Sequence, residues 1–284
     1  NFLCSLNYSS NFSQAEYLNY CKKINQKFKP KNLKDLIDYE FDKNPDNLKI
    51  GFISPDFVEH SVTDFLFGTI KELKERNFKV YAFNLKKISK LDSTSKELMK
   101  TFDGWHDLAE LSDVDAANKI RKNKINILID LTGYFADNRF TIMKYKPAPI
   151  QIIWMGYTNT TGNEEIDYIV ADPNLIKDSE KNLYSEKIIN LPKIWNCHSG
   201  IELNVEVENL PCLTNNYITF GCFNNSSKIS DAVIETWSEI LLKTNNSKLM
   251  MKAPSDDAEI AQKYILKKFN NYNIDSSRIL FSPR

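Results

Sequence analysis

Glycine is scarce in this chain, 8 of 284 residues, and the glycine-rich phosphate fingerprints are missing with it. Neither G-x-G-x-x-G nor G-x-x-x-x-G-K-[ST] occurs, which removes the usual sequence support for a dinucleotide turn or a Walker loop. The five cysteines, Cys4, Cys21, Cys197, Cys212 and Cys222, are odd in number and form no C-x-x-C pair. That argues against a disulfide framework or a zinc site and for a reducing, cytoplasmic setting. Charge of one sign is missing too, with 37 basic against 37 acidic residues. No net field therefore steers the chain to nucleic acid or to an anionic membrane. The aromatic residues are scattered and build no base-stacking platform. No apolar run approaches the ~20 residues that span a bilayer, there is no signal-peptide core, and no short internal repeat is visible. Only three histidines occur. The chain begins at Asn1 and stops at Arg284 directly after a strand-like run, and both ends read as cut.

What is present is a hydrophobic content of 42%, enough for a substantial core. Residues 1–30 read as helical, with Phe12, Tyr17, Tyr20, Ile24 and Phe28 near helical spacing and Pro30 as the stop. A polar approach segment with a Pro45-Asp46 turn signal follows. From Leu48 short apolar runs at 49–53, 78–83, 125–131, 150–155, 166–170 and 187–191 alternate with helical stretches near 62–76, 92–101, 113–123 and 138–145. That rhythm predicts a parallel sheet covered on both faces. Asn196 to Asn216 reads as a linker. Beyond it the βα rhythm restarts at 217–223, 230–243, 248–253, 256–270 and 278–283, too few strands for a complete α/β domain.

Chemistry is expected where strands run into loops at the carboxyl edge of such a sheet. The first place is KIGFISPDFVEHS, a strand broken by Ser54-Pro55-Asp56 before a helix. Asp56 and His60 are the proton-capable side chains there, although either could simply serve the turn or the helix cap. The second is ITFGCFNNSSKIS, where Asn225, Ser227 and Lys228 precede a helix start that suits an anion; an ordinary Ser230 cap with a solvated Lys228 fits the same residues. Gly133-Tyr134 and WMGYTNTTG, the latter carrying Met155 and Gly156, are further strand-end loops. Asp113-x-Asp115 has the form of a metal-binding pair, but it begins a helix that favours acids anyway. Cys197-His198 lacks a second ligand pair, and His106, beside Trp105 in a strand-like run, reads as packing.

Taken in order, IGFISPDFVEHSV, NILIDLTGYFADNR, PAPIQIIWMGYTNTTGNEEIDYIVAD, YSEKIINLP and YITFGCFNNSSKIS resemble the catalytic region of the O-linked N-acetylglucosamine transferases, the SPINDLY-like glycosyltransferases. The resemblance covers nearly the whole chain from Leu48. It implies an α/β, GT-B-like architecture: residues 1–47 a helical junction at the end of tetratricopeptide-like repeats, 48–205 a Rossmann-like N-terminal catalytic domain, and 206–284 the incomplete beginning of a C-terminal nucleotide-sugar domain. It further implies inverting, metal-independent transfer of N-acetylglucosamine from UDP-GlcNAc to Ser or Thr hydroxyls of proteins, with the UDP-sugar as substrate and no cofactor.

By the same resemblance Lys228 matches the family's phosphate-contacting lysine. His60 and Asp56 match the histidine and aspartate at the N-domain edge, Met155 and Gly156 a loop near the sugar, and Asn225, with Ser227 beside it, a donor loop. The sequence departs from the family pattern at Ser61, Val62 and Asp64, where a second histidine often follows, and at Phe28, where the junction helix often has a histidine. The family's later donor segment is also absent. Two other readings therefore stay open: a catalytically incompetent piece or scaffold acting through protein contacts, or a relative that uses another sugar donor.

Overall fold

The computed structural model describes residues 2–9, 12–38, 47–200, 205–252 and 258–282; the Pro45-Asp46 turn lies outside them. The chain divides into two compact units, Asn1–Ile201 and Glu202–Arg284.

The first unit opens with two helices, α1 (Phe2–Leu6) and α2 (Gln14–Lys27), where one continuous helix was expected. The reason is a new start signal. Ser13 and Glu16 form a reciprocal capping box, each side chain accepting the other's backbone N–H. α2 stops at Lys27, short of Pro30, because the residue before a proline is disfavoured in the helical region.

Next come β1 (Lys49–Ser54), α3 (Ser61–Glu75), β2 (Lys79–Asn84), α4 (Ser93–Thr101), β3 (Gly104–Asp107), α5 (Asp113–Lys122), β4 (Ile127–Asp130), β5 (Ile150–Ile153), β6 (Tyr168–Ala171) and β7 (Lys187–Asn190). The expected helix at 138–145 is only a 3-10 turn, Phe140–Tyr145. Its run is too short to propagate an α-helix, and Lys146, just before Pro147, leaves the helical region with φ 47°. The seven strands form one sheet in the order β3-β2-β1-β4-β5-β6-β7, parallel throughout.

Side chains alternate across this sheet with period two. Ile50, Phe52, Val80 and Ala82 face one core with Val62, Leu66 and Ile70 of α3 and Leu98 of α4. Ile53, Phe83 and Leu128 face the other with Val114, Ala117 and Ile120 of α5 and Ile142 and Met143 of the 3-10 turn. The strand order reverses between β1 and β4, where Ile53 pairs with Asp130. In doubly wound sheets the crevice beyond that reversal is the ligand position.

The second unit holds α6 (Pro211–Asn215), β8 (Ile218–Cys222), α7 (Asp231–Lys243), β9 (Ser247–Lys252), α8 (Ala258–Asn270) and β10 (Ile279–Ser282). Its three strands are parallel in the order β10-β9-β8. α7 and α8 pack on them through Ile234, Leu241, Ile265 and Phe269. α6 falls within the stretch read as linker and starts, as short helices often do, on a proline at its first turn.

Candidate functional site

The turn after β1 is fixed from several sides. The Asp56 N–H donates to Ser54 Oγ at 2.9 Å, and Ser54 Oγ lies 3.3 Å from Thr132 Oγ1 at the end of β4. The Thr63 hydroxyl of α3 reaches the carbonyls of Asp56 at 2.9 Å and Val58 at 2.8 Å. Ser95 of α4 donates to the Phe57 carbonyl at 2.7 Å, and the Glu59 N–H donates to Asp92 Oδ2 at 2.7 Å. Phe57 is fully buried against Phe102 and Trp105. The consequence is a rigid platform for two side chains.

Asp56 is half-buried. Burial pushes its carboxyl above the ordinary range, with His60 and Lys86 pulling it back and Asp137 adding to the rise. His60 is exposed and caps α3, its Nδ1 accepting from the Val62 N–H at 3.2 Å. That bond puts the proton of the neutral ring on Nε2, so His60 presents a donor outward. The cap role and an outward-facing role coexist in this one side chain.

Across the strand-order reversal stands Asp130, which the sequence reading passed over. It is 4% exposed at the end of β4. Its Oδ1 accepts from the Thr132 N–H at 2.8 Å and the Gly133 N–H at 3.3 Å. Burial pushes its carboxyl up to about 6 despite these bonds, and the Asp56 charge adds to the rise. Two acids whose titrations interact thus flank the point where β1 and β4 part. The available signal was an Asp closing the apolar run INILID at a strand's carboxyl end.

Met155 and Gly156 follow β5. Met155 has φ 68°, a left-handed conformation that a non-glycine residue adopts at a cost of about 1–3 kcal/mol. The Gly156 N–H donates back to the Trp154 carbonyl at 2.9 Å, closing the turn tightly. A Cβ on Gly156 would stand 1.7 Å from the Leu131 carbonyl oxygen, so only glycine lets this loop lie against the end of β4.

In the second unit Asn225, Ser227 and Lys228 share one short turn between β8 and α7. Asn225 Oδ1 accepts from both the N–H and the hydroxyl of Ser227 at 3.0 Å. Lys228 is exposed, and Ser230 caps α7 by accepting from the Val233 N–H at 3.3 Å. Three residues of the sequence's donor-loop set thus lie together, and the four others lie on the carboxyl edge of the first unit's sheet.

The remaining candidates are spent elsewhere. Asp113 pairs with Arg139 and accepts from Thr141, while Asp115 accepts from Ser112 Oγ at 2.5 Å. His106 stacks on Phe83 at 5.3 Å between ring centres. His198 packs edge-on against Phe65 at 5.0 Å. Among the described residues no three His, Cys, Asp or Glu side chains gather as a metal set.

A strand order that reverses beside perturbed acids, followed by a restarted parallel sheet, is a doubly wound α/β architecture. Over 99% of this chain it matches, at TM-score 0.87 and 23% identity, a lysine-to-methionine mutant of the O-GlcNAc transferase of Thermobaculum terrenum, covering 53% of that chain. A glycosyltransferase from Rickettsia africae matches more loosely, at TM-score 0.52 and 14% identity, over 84% of this chain and 69% of that one. The architecture is GT-B-like, with a Rossmann-type first unit and the first part of a second. The model of glycosyl transferase family 41 matches residues 23–203, and the chain belongs to that family.

A protein of Petunia hybrida named as a probable UDP-N-acetylglucosamine–peptide N-acetylglucosaminyltransferase SPINDLY is 31% identical over 244 residues, 85% of this chain and 26% of its own length. The similarly named rice protein is 34% identical over 221 residues, 77% of this chain and 24% of its own. A UDP-N-acetylglucosamine–peptide N-acetylglucosaminyltransferase of Caenorhabditis elegans is 33% identical over 152 residues, 53% of this chain and 13% of its own. The chain thus spans about a quarter of the length of the plant relatives it matches.

Proposed function

We propose that this chain belongs to a protein that transfers N-acetylglucosamine from UDP-GlcNAc to Ser or Thr hydroxyls of other proteins, with inversion and without a metal or other cofactor. The supporting observation is family 41 membership, with relatives named as UDP-N-acetylglucosamine–peptide N-acetylglucosaminyltransferases. In this reading residues 1–47 join upstream repeats to a catalytic domain at 48–205, and 206–284 begin the nucleotide-sugar domain. The setting is the cytoplasm, and neither nucleic acid nor membrane is a partner.

The acceptor oxygen attacks the anomeric carbon from the face opposite the diphosphate. As that bond forms, the bond from carbon to the diphosphate oxygen breaks, and the acceptor's proton must leave. Asp56 takes the proton, because a carboxylate with a raised affinity for protons is the better base at neutral pH. His60 Nε2–H orients an oxygen of donor or acceptor. Lys228, with amides at the start of α7, holds the departing diphosphate as its charge grows. Asn225 and Ser227 shape that turn, and Met155 with Gly156 lines the sugar.

The test is a transfer assay with UDP-GlcNAc and a Ser/Thr-rich acceptor protein, together with calorimetric binding of UDP and UDP-GlcNAc. Transfer that falls with Asp56→Asn and persists in chelator fits the reading. Transfer from a different nucleotide sugar alone, or binding without transfer by any donor, refutes it.

A further inference from the structure

The loop that carries Met155 and Gly156 continues to Asn163, and one side of it is fixed by α2 and the turn before it. Tyr157, 2% exposed, shares a hydroxyl–hydroxyl bond with Tyr17 of α2. Asn7 Nδ2 donates to the Tyr157 hydroxyl at 3.2 Å. Gln14 Nε2 donates to Asn159 Oδ1 at 2.5 Å, and Cys21 Sγ lies 3.7 Å from the Thr160 carbonyl. Asn25, 7% exposed, is the centre of the set. Its Nδ2, with two N–H groups, lies 2.8 Å from the Thr161 carbonyl, 2.9 Å from the Cys21 carbonyl and 2.6 Å from the Tyr134 hydroxyl; Tyr134 in turn donates to the Thr161 carbonyl at 2.5 Å.

The approach is close enough to need glycine. A Cβ on Gly162, φ 63°, would stand 2.5 Å from Cys21 Cβ and 2.9 Å from the Lys22 nitrogen. On its other side the loop is held by Glu186, which accepts from the Thr161 N–H at 2.7 Å and the Thr160 hydroxyl at 2.7 Å. The helix and the loop are thus one polar, buried layer, although 136 residues separate Asn25 from Thr161.

We infer that Asn25 is a positioning residue for transfer: through it and Tyr17, α2 holds the 155–163 loop in the conformation that sets Met155 and Gly156 against the end of β4. α2 is then part of the site's back wall and not a spacer. The inference rests on the proposed transferase reading for its functional half. A buried amide that loses its partners is costly, so the loop's order should depend on this one side chain.

The experiment is hydrogen exchange on the whole chain, with Asn25→Leu, Asn25→Ala and Tyr17→Phe, alongside the transfer assay. Asn25→Leu keeps the branched shape and removes the donors without burying a charge, so a packing role predicts little change. A donor role predicts that the amides of Thr161 to Asn163 exchange about ten- to a hundredfold faster, while β1 and β2 amides keep their protection. kcat should fall about tenfold with acceptor KM little changed, and Tyr17→Phe should show a smaller effect of the same kind should an Asn25 variant fail to fold. Unchanged loop exchange in Asn25→Leu and Tyr17→Phe overturns the tether. Faster exchange with full kcat overturns the positioning role. Exchange is read without substrate, so an inactive wild type overturns the reaction and the positioning role with it, while exchange still decides the tether.

Discussion

The turn after β1 and the turn after β8 have the same plan, a strand running into a loop and then a capped helix, yet they are built to opposite ends. The first is tied by side chains from α3 and α4 and roofed by a buried Phe57. It holds Asp56 half out of water, where its affinity for protons rises. The second is held mainly by Asn225 and the Ser230 cap, and it leaves Lys228 in solvent. Proton handling needs a fixed, partly dry group. Neutralising a diphosphate needs a cation at a helix start, and an exposed lysine meets that need.

The largest effect that would separate the two turns is on turnover. Lys228→Ala should lower kcat about a hundred- to a thousandfold and leave the melting temperature where it was; an equal loss of stability would erase the distinction. Next comes Asp130→Asn, which keeps an oxygen for the turn amides and removes the acid. Asp130 titrates at about 6 in the folded chain and near 4 when unfolded. Its neutral form therefore favours folding: that stability is complete below about pH 4 and is lost as pH rises through about 6. Asp56, raised in the same direction, adds to the trend. Denaturant unfolding of Asp130→Asn should match wild type at pH 4 and exceed it by about 3 kcal/mol at pH 7. A pH-independent difference would mean that Asp130 is not the titrating group.

Thr63→Val preserves shape and strips the hydroxyl that serves two carbonyls of the first turn. It should cost about 1–3 kcal/mol of unfolding free energy and reduce turnover as Asp56 loses its placement. The smallest change is expected from Asn225→Ala, about 1 kcal/mol in the second unit, measured by its own unfolding transition. If Asn225→Ala proved as costly as Thr63→Val, the second turn would be as rigid as the first.

Much of this was legible in the chain itself. β1 ends at Ser54 and α3 begins at Ser61, so Asp56 and His60 fall on the connecting turn that SPDFVEH announces. Both readings of His60 hold at once, since it caps α3 with one ring nitrogen and turns the other outward. What period and propensity could not carry is long-range. Asp130 looks like any residue at the end of an apolar strand until burial raises its proton affinity. Asn25 sits in a helix whose pattern gives no hint that its amide meets Tyr134 and Thr161, more than a hundred positions away. The helix expected at 138–145 failed for a local reason, a run too short to propagate that ends at a left-handed Lys146.

The strand order also dictates when the site comes into being as the chain is made. β1 waits for its inner neighbour: Ile50 pairs with Ile127, and 127 − 50 = 77 residues must follow before that partner exists. At about 5–20 residues per second, an apolar strand and the future home of Asp56 spend several seconds half-covered on the ribosome. The crevice between β1 and β4 is therefore closed late, well after its first wall has been made.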